Sequence, residues 1–217
     1  MTGPVNLSAQ LGIRGEIAAL KRERTIAAAV DLFYERGYEN TTLEAVAEQL
    51  GVTKPFIYAH FGSKADLLAE ICGRGISESL NAIDRALLIK GSATEKLEEL
   101  AQNFVVTVLE NQKPLAIFAR EEKNLAPADY ERISDMRREF DRKLVGLLEN
   151  GVRAREFHLS DPPIAALAIG GLVSWAYVWF RPRGRMTMQE LAGEMTKLIL
   201  AMVGAERRGH SGGVSGK

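Results

Sequence analysis

Apolar residues along this chain recur at intervals of three and four, which is the spacing of a helix with one buried face. The first such segment is expected to run from near Glu16 to Arg36, and Gly37 marks its end. No segment shows the apolar and polar alternation, bounded by hairpin turns, that is typical of strands. The pattern therefore predicts an all-α protein of about nine helices.

Side chains that cap a first helical turn mark where the later helices begin. Thr41 and Glu44 form the pattern of a capping box, which predicts a second, short helix ending at Gly51. Thr53 predicts the cap of a third helix, whose first turn tolerates Pro55. Further helix starts are predicted at Ser63, Ser92, Pro127, Asp161 and Thr187.

The second and third predicted helices have the spacing of a helix-turn-helix. Residues 42–50 and 53–61 are joined by a tight turn at Gly51, and Ala47 is small where the two helices must cross. A helix in the major groove presents N-terminal side chains to base edges and flanking side chains to phosphates. The predicted DNA-contacting residues are Thr42, Thr53, Lys54, Pro55, Phe56, Tyr58, His60 and Lys64.

The stretch TTLEAVAEQLGVTKPFIYAHFGSKADLL, residues 41–68, resembles the DNA-binding domain of TetR-family transcriptional regulators. The resemblance begins in the preceding helix at Arg22 and includes its end, Glu35-Arg36-Gly37-Tyr38. It implies a three-helix N-terminal DNA-binding domain, a variable helical effector domain and a homodimer. A two-fold dimer is expected to bind a near-palindromic operator in double-stranded DNA.

Net charge does not by itself indicate a nucleic-acid partner. The chain has 28 Lys and Arg against 28 Asp and Glu, and its first 72 residues hold seven basic and nine acidic side chains. Residues 51–65, however, contain Lys54 and Lys64 and no acid, and further basic residues cluster in or before the first helix. This local patch predicts phosphate contact with a shallower salt dependence than a strongly basic domain would have.

The segment from Ile164 to Phe180 is almost wholly apolar, with Ser174 as its one clearly polar side chain. As a helix it would span about 25 Å, less than the bilayer core of about 30 Å. We therefore expect a buried helix or subunit interface, with the dimer built on residues 161–181 and 187–203, and no membrane span.

The single cysteine, Cys72, and the lack of a signal-peptide pattern in residues 1–10 predict a cytoplasmic protein.

A second resemblance concerns the apolar segment. Residues 172–184, especially Trp179-Phe180-Arg181-Pro182 followed by Gly184, are similar to the penultimate helix of a TetR subgroup that includes regulators of steroid and fatty-acid catabolism. Those regulators respond to acyl-coenzyme A thioesters, although Val178 stands where the steroid regulators are expected to have an arginine. The resemblance implies a small apolar effector, with an acyl-CoA thioester as one candidate.

Aromatic and basic side chains of the C-terminal part are the candidates for holding such an effector. The predicted effector-binding residues are Phe104, Phe118, Arg120, Trp175, Trp179 and Arg181. The alternatives are that the aromatic residues form core and that the two arginines form ion pairs on helix surfaces.

The sequence contains no convincing signature of an enzyme active site or of a metal site. The string Gly209-His210-Ser211-Gly212-Gly213 resembles a nucleophile elbow, but no strand is predicted before it and no helix after it. The three histidines lack metal-ligand spacing. We therefore expect no enzyme activity, no cofactor and no metal.

The predicted organisation has four parts. Residues 1–14 are a mobile arm, 15–72 the helix-turn-helix domain, 73–205 the effector-binding and dimerisation domain, and 206–217 a disordered tail. The favoured function is a DNA-binding repressor released from its operator by a small apolar effector. The alternative is a DNA-binding assembly or nucleoid protein on the same fold with no metabolite effector.

Overall fold

The computed structural model describes residues 7–205, which are helical with short connections and contain no strand. The all-α prediction is confirmed. The helices are α1 (Leu7–Arg36), α2 (Leu43–Leu50), α3 (Lys54–His60), α4 (Lys64–Leu88), α5 (Ala93–Glu110), α6 (Gln112–Glu121), α7 (Pro127–Arg153), α8 (Pro162–Ser174), α9 (Ala176–Trp179) and α10 (Met188–Met202). A short 3-10 turn, Glu122–Asn124, lies between α6 and α7.

Helix α1 begins nine residues before the predicted start. Gly12 and Gly15 precede that start, and because glycine weakens a helix by about 1 kcal/mol relative to alanine, the sequence favoured a later beginning. Residues 7–14 of the predicted arm are therefore helical. The rest of the arm, residues 1–6, and the predicted tail, residues 206–217, lie outside the described residues.

The helices form two compact units. The first holds residues 7–76 and Asn111–Ser134, and the second holds Ser77–Glu110 and residues 135–205. Helix α6 and the first turns of α7 thus belong with the helix-turn-helix, because α6 packs on α1 and buries Ile117 and Phe118. The sequence had placed the domain boundary after residue 72, since no local signal indicates that a later helix packs back on α1.

The first turn of α2 differs from the prediction in its capping residue. Thr42, not Thr41, is the N-cap, and its hydroxyl accepts a hydrogen bond from the Ala45 amide at 3.1 Å. Thr41 is fully buried, and its hydroxyl lies 2.9 Å from the Gly37 carbonyl oxygen and 3.3 Å from that of Leu32. The sequence could not distinguish two adjacent threonines, because tertiary burial decides which of them caps the helix.

Three other predicted helix starts are confirmed by their caps. The Ser92 hydroxyl accepts a hydrogen bond from the Glu95 amide at 3.1 Å, and the Glu95 carboxylate accepts one from the Ser92 amide at 2.7 Å. Thr187 and Glu190 form the same reciprocal pair, at 3.2 and 2.7 Å. The Asp161 carboxylate accepts from the Ile164 amide at 3.0 Å. Local sequence determines these helix starts.

In the second unit a distant carboxylate holds the start of α5. The Glu156 carboxylate accepts from the Thr94 amide and hydroxyl, both at 2.9 Å, and from the Ala93 amide at 3.2 Å. Burial acts to raise the pKa of Glu156, but hydrogen bonds from Thr94 and Ala93 outweigh it and lower the pKa below its ordinary value. The ionised form of Glu156 is therefore stabilised by folding.

We expect Glu156→Ala to lower the free energy of unfolding by about 1 to 3 kcal/mol, because the amides of Ala93 and Thr94 lose a charged acceptor. A depressed pKa gives stability that is present above the unfolded value of about 4.3 and lost as pH falls through the folded pKa. Urea unfolding at pH 7 and pH 3 is the measurement. If the free energy of unfolding of the variant differs from that of the wild type by the same amount at both pH values, the assignment of this role to the Glu156 carboxylate is contradicted.

Candidate nucleic-acid interface

The turn between α2 and α3 is fixed by a glycine in the left-handed conformation. Gly51 has φ +65°, which other residues rarely adopt, and its amide donates to the Glu48 carbonyl at 3.0 Å. The Val52 amide donates to the Ala47 carbonyl at 3.0 Å. The two helices therefore meet at a fixed angle, as the sequence predicted.

Helix α3 presents its first residues to solvent and its middle to the core. Ile57 is fully buried, whereas Tyr58 is 44% exposed. Thr53 precedes the helix in extended conformation and makes no capping bond with its side chain. The exposed residues of this segment are Thr53, Lys54, Pro55, Tyr58 and Ala59. Four of these five exposed residues are among the eight predicted contact residues, and their contacts with DNA stay predictions.

Phe56 and His60 are partly withdrawn from that face. Their rings stack with centroids 4.6 Å apart, and the Lys21 ammonium of α1 lies 5.3 Å from the Phe56 centroid. His60 Nδ1 lies 3.0 Å from the Phe56 carbonyl oxygen, a contact in which the ring nitrogen must be the donor. This ring nitrogen is therefore engaged within α3, and a phosphate contact by His60 stays a prediction.

Lys64 is tied to the corner that follows α1. Its ammonium donates to the Tyr38 carbonyl oxygen at 3.0 Å and lies 4.2 Å from the centroid of the Tyr38 ring. An ammonium has three N–H donors, so this bond does not prevent a phosphate contact. Thr42 is exposed, its oxygen accepts from the Ala45 amide, and its O–H donates to the Glu44 carboxylate, so a phosphate would compete with Glu44 for this donor. The DNA-contact roles of Lys64 and Thr42 stay predictions.

Lys54, the first residue of α3, forms an ion pair with Glu44 of α2. Residues 51–65 contain no acid, so the local sequence gave no sign of this partner, which the crossing of α2 and α3 brings close. Packing of α1 against α3 also brings distant residues together, and the Arg22 guanidinium donates to the His60 carbonyl oxygen at 3.2 Å. Basic residues of α1 were noted in the sequence, but their contact with α3 depends on tertiary packing.

Helix α6 is bonded to the C-terminal end of α1 through two adjacent residues. The Arg120 guanidinium donates to the carbonyl oxygens of Phe33 and Tyr34, and to the Glu121 carboxylate at 2.9 Å. Glu121 is buried and also accepts from the Tyr38 amide at 3.3 Å. Arg120 therefore has structural partners in the first unit. This role resembles the surface ion pair that the sequence left open as the alternative to effector binding.

The six predicted effector-binding residues are divided between the two units. Phe118 and Arg120 belong to the first unit and the other four to the second. Phe104 is buried with its ring centroid 4.8 Å from that of Phe140, whereas Trp175 and Trp179 are exposed. Arg181 is exposed and donates to the carbonyl oxygens of Val178 and Phe180, at 3.0 and 3.1 Å. An effector role for these residues stays a prediction.

One segment of the described chain is long and apolar enough to suggest a membrane span. Pro162–Trp179 has a mean hydropathy of 1.4, and only 22% of it is buried in the single chain. Helix α8 itself has 13 residues and is about 20 Å long, which is short of a bilayer core. One such segment is weak support for a span.

Within residues 7–205, no group of three or more His, Cys, Asp or Glu side chains is placed to hold a metal ion.

Comparison with known proteins agrees with the geometry. A family model described as bacterial regulatory proteins, tetR family, matches residues 26–71, and one described as Tetracyclin repressor-like, C-terminal domain, matches residues 90–203. The HTH-type transcriptional repressor KstR2 of Rhodococcus jostii is 27% identical over 183 residues, which cover 83% of this chain and 89% of KstR2.

Two solved structures share the fold. The TetR-family regulator PfmR of Thermus thermophilus has a TM-score of 0.75 at 30% identity, covering 82% of this chain and 97% of PfmR. AibR, in complex with isovaleryl coenzyme A and operator DNA, has a TM-score of 0.70 at 24% identity and covers 82% of this chain and 97% of AibR. The predicted resemblance is confirmed across both halves. The chain belongs to the TetR family of DNA-binding transcriptional regulators.

Proposed function

We propose that this protein is a cytoplasmic one-component repressor, a homodimer that binds a near-palindromic operator and releases it when a small apolar effector binds. The observation that carries the proposal is the α2–α3 pair, in which α3 buries Ile57 and exposes Lys54 and Tyr58, with Thr53 exposed just before its first turn. Such a helix fits the major groove, with its N-terminal side chains at base edges.

The dimer is supported by an apolar surface on α8 and α10. Ile164, Leu167, Trp175, Leu198 and Met202 are all exposed in the single chain. A Cβ placed on Gly170 or Gly171 would meet nothing within 4 Å, so packing within the chain does not require glycine there. Surfaces of this kind are typical of subunit interfaces. A two-fold dimer would carry two α3 helices to two half-sites.

The effector class is supported by relatives rather than by a cavity. The solved structure of AibR is a complex with isovaleryl coenzyme A and operator DNA, and KstR2 of Mycobacterium tuberculosis, which shares the fold, is a ketosteroid transcriptional regulator. We propose an acyl-CoA thioester as the first effector to test. Effector and DNA are coupled only if the effector binds the DNA-competent and incompetent states with different affinity.

The test begins with selection of duplexes from a random pool by the purified full-length chain. We expect a near-palindrome with half-site centres roughly 34 to 36 Å apart, or a multiple of that distance. Titration with short-, medium- and long-chain acyl-CoA thioesters is expected to weaken operator binding by about 5- to 150-fold for one of them. Selection of no sequence would contradict operator binding. Sequence-independent binding that no thioester affects would favour the nucleoid alternative.

Tyr58 gives a test of the proposed phosphate contacts. Tyr58→Phe removes only the hydroxyl, and we expect binding to selected and scrambled duplexes to weaken alike, on the order of tenfold. Tyr130→Phe, at another exposed tyrosine, is the matched control. Fluorescence anisotropy at fixed salt is the measurement. A loss confined to the selected duplex would instead assign Tyr58 to base recognition.

A further inference from the structure

The ion pair between Glu44 and Lys54 lies beside the proposed DNA-facing side of α3. The two side chains are 51% and 54% exposed, so both ends of the pair are accessible to solvent and to a docked duplex. The hydrogen bond between them lowers the pKa of Glu44 and raises the pKa of Lys54. Both groups are therefore charged at neutral pH, and the pair has no net charge.

Folding of α2 does not require the Glu44 carboxylate. Thr42 is the N-cap of α2, and the Glu44 side chain reaches across to α3. Its carboxylate also accepts hydrogen bonds from its own backbone amide and from the Thr42 hydroxyl. Glutamine keeps an oxygen acceptor for both donors, so removal of the charge mainly forfeits the modest attraction between an acidic residue and a helix N-terminus. The main effect of the carboxylate is to offset the positive charge of Lys54. Lys54 and His60 are the basic residues of the segment from Thr53 to His60.

We propose that Glu44 is a specificity-determining residue, which keeps Lys54 neutralised on non-specific DNA and releases it only at the operator. This inference rests on the proposed function, in which α3 enters the major groove. Non-specific binding is driven almost wholly by cations that displace counterions from phosphates, and a Lys54 whose charge is offset by Glu44 adds less to it than a free lysine would. At the operator, contacts to base edges compensate for breaking the pair.

Glu44→Gln is the test, because glutamine keeps the shape and removes the charge. On a scrambled duplex we expect binding to tighten about three- to tenfold, and the slope of log affinity against log salt to steepen by about 0.9, the value of one phosphate contact. On the selected duplex Lys54 is already engaged, so the slope is expected to stay unchanged and the affinity to change by less than about threefold. The ratio of the two affinities therefore falls.

Two controls separate this effect from a general change of charge. Glu48→Gln removes an exposed carboxylate from the same helix and is expected to leave the salt slope unchanged. In a Lys54→Ala background, Glu44→Gln is expected to have no larger effect than Glu48→Gln, since no cation is left to release. Circular dichroism and melting temperature establish that all variants are folded.

Three outcomes would overturn the proposal. The first is an unchanged non-specific affinity and slope in Glu44→Gln, and the second is an equal gain in Glu48→Gln. The third is a loss of operator affinity of about tenfold or more in Glu44→Gln, which would make Glu44 a base-reading residue. If the wild-type chain selects a sequence and one of these outcomes occurs, the inference alone fails. If the wild type binds no duplex even at low salt, the proposed function fails with it.

Discussion

Replacing Glu121 by alanine is expected to lower the free energy of unfolding by about 2 to 4 kcal/mol, the largest effect on stability among the single substitutions considered. Glu121 is buried, and its carboxylate accepts from the Tyr38 amide, the Arg120 guanidinium and the Asn124 side-chain amide, at 3.3, 2.9 and 3.0 Å. Truncation leaves the Tyr38 amide and the Asn124 side-chain amide without this acceptor, whereas Arg120 keeps the carbonyl oxygens of Phe33 and Tyr34. Because the Glu121 carboxylate is itself buried, the cost exceeds that of an exposed ion pair.

The measurement is urea unfolding of full-length wild type and variant, followed by circular dichroism. Glu122→Ala is the matched control, because Glu122 is the next residue along the chain and is exposed. Its effect is expected to be within about 0.5 kcal/mol of zero. Glu121→Gln keeps an oxygen acceptor for the Tyr38 amide and is expected to be intermediate. Equal stability of the two alanine variants would refute the role of Glu121.

Local signals in the sequence predicted much of this fold. The left-handed turn at Gly51, the capping box at Thr187 and the Asp161 cap each depend on a few adjacent residues, so the printed sequence is sufficient to locate them. The helix-turn-helix was predicted for the same reason, since its two helices and turn occupy one continuous stretch. Sequence predicts structure well where the interacting groups are close along the chain.

Contacts between distant residues could not be predicted in this way. Arg120 bonds to α1 residues 86 and 87 positions earlier, and Glu156 bonds to Thr94, 62 positions earlier. A charged residue near an apolar stretch has the same local appearance whether it holds a ligand or a distant helix end. Arg120 was therefore assigned to the effector on a pattern that also fits its observed role.

The helix-turn-helix was predicted from local sequence, whereas the ion pairs and ring contacts around α3 were not. Counting charges in a window identified Lys54 as a free cation, whereas the structure pairs it with Glu44 on the preceding helix. Phe56, a predicted groove contact, stacks on His60 and lies close to Lys21, two ring contacts that the sequence did not indicate. Periodicity indicates which side of a helix faces outward, and neighbouring helices then decide which outward side chains are free to bind.

The second large effect is expected for Leu167→Glu, which should convert the proposed dimer to a monomer. Leu167 lies on α8 and is 62% exposed in the single chain. In a two-fold interface one substitution introduces two carboxylates, one from each copy, into an apolar surface where they cannot be solvated. Sedimentation equilibrium at micromolar concentration is the measurement. Leu88→Glu, at a leucine that is 81% exposed on α4, is the matched control and is expected to stay dimeric.

Loss of the dimer is expected to reduce operator affinity by about 100-fold or more, because the second half-site then binds as an independent event rather than at high effective concentration. Binding to a scrambled duplex, which uses single phosphate contacts, is expected to fall less. The two readouts must change together: a Leu167→Glu monomer with wild-type operator affinity would show that one α3 helix is sufficient for recognition. A dimeric Leu167→Glu variant would instead move the interface away from the apolar surface of α8 and α10, and Trp175 and Leu198 would then need another explanation for their exposure.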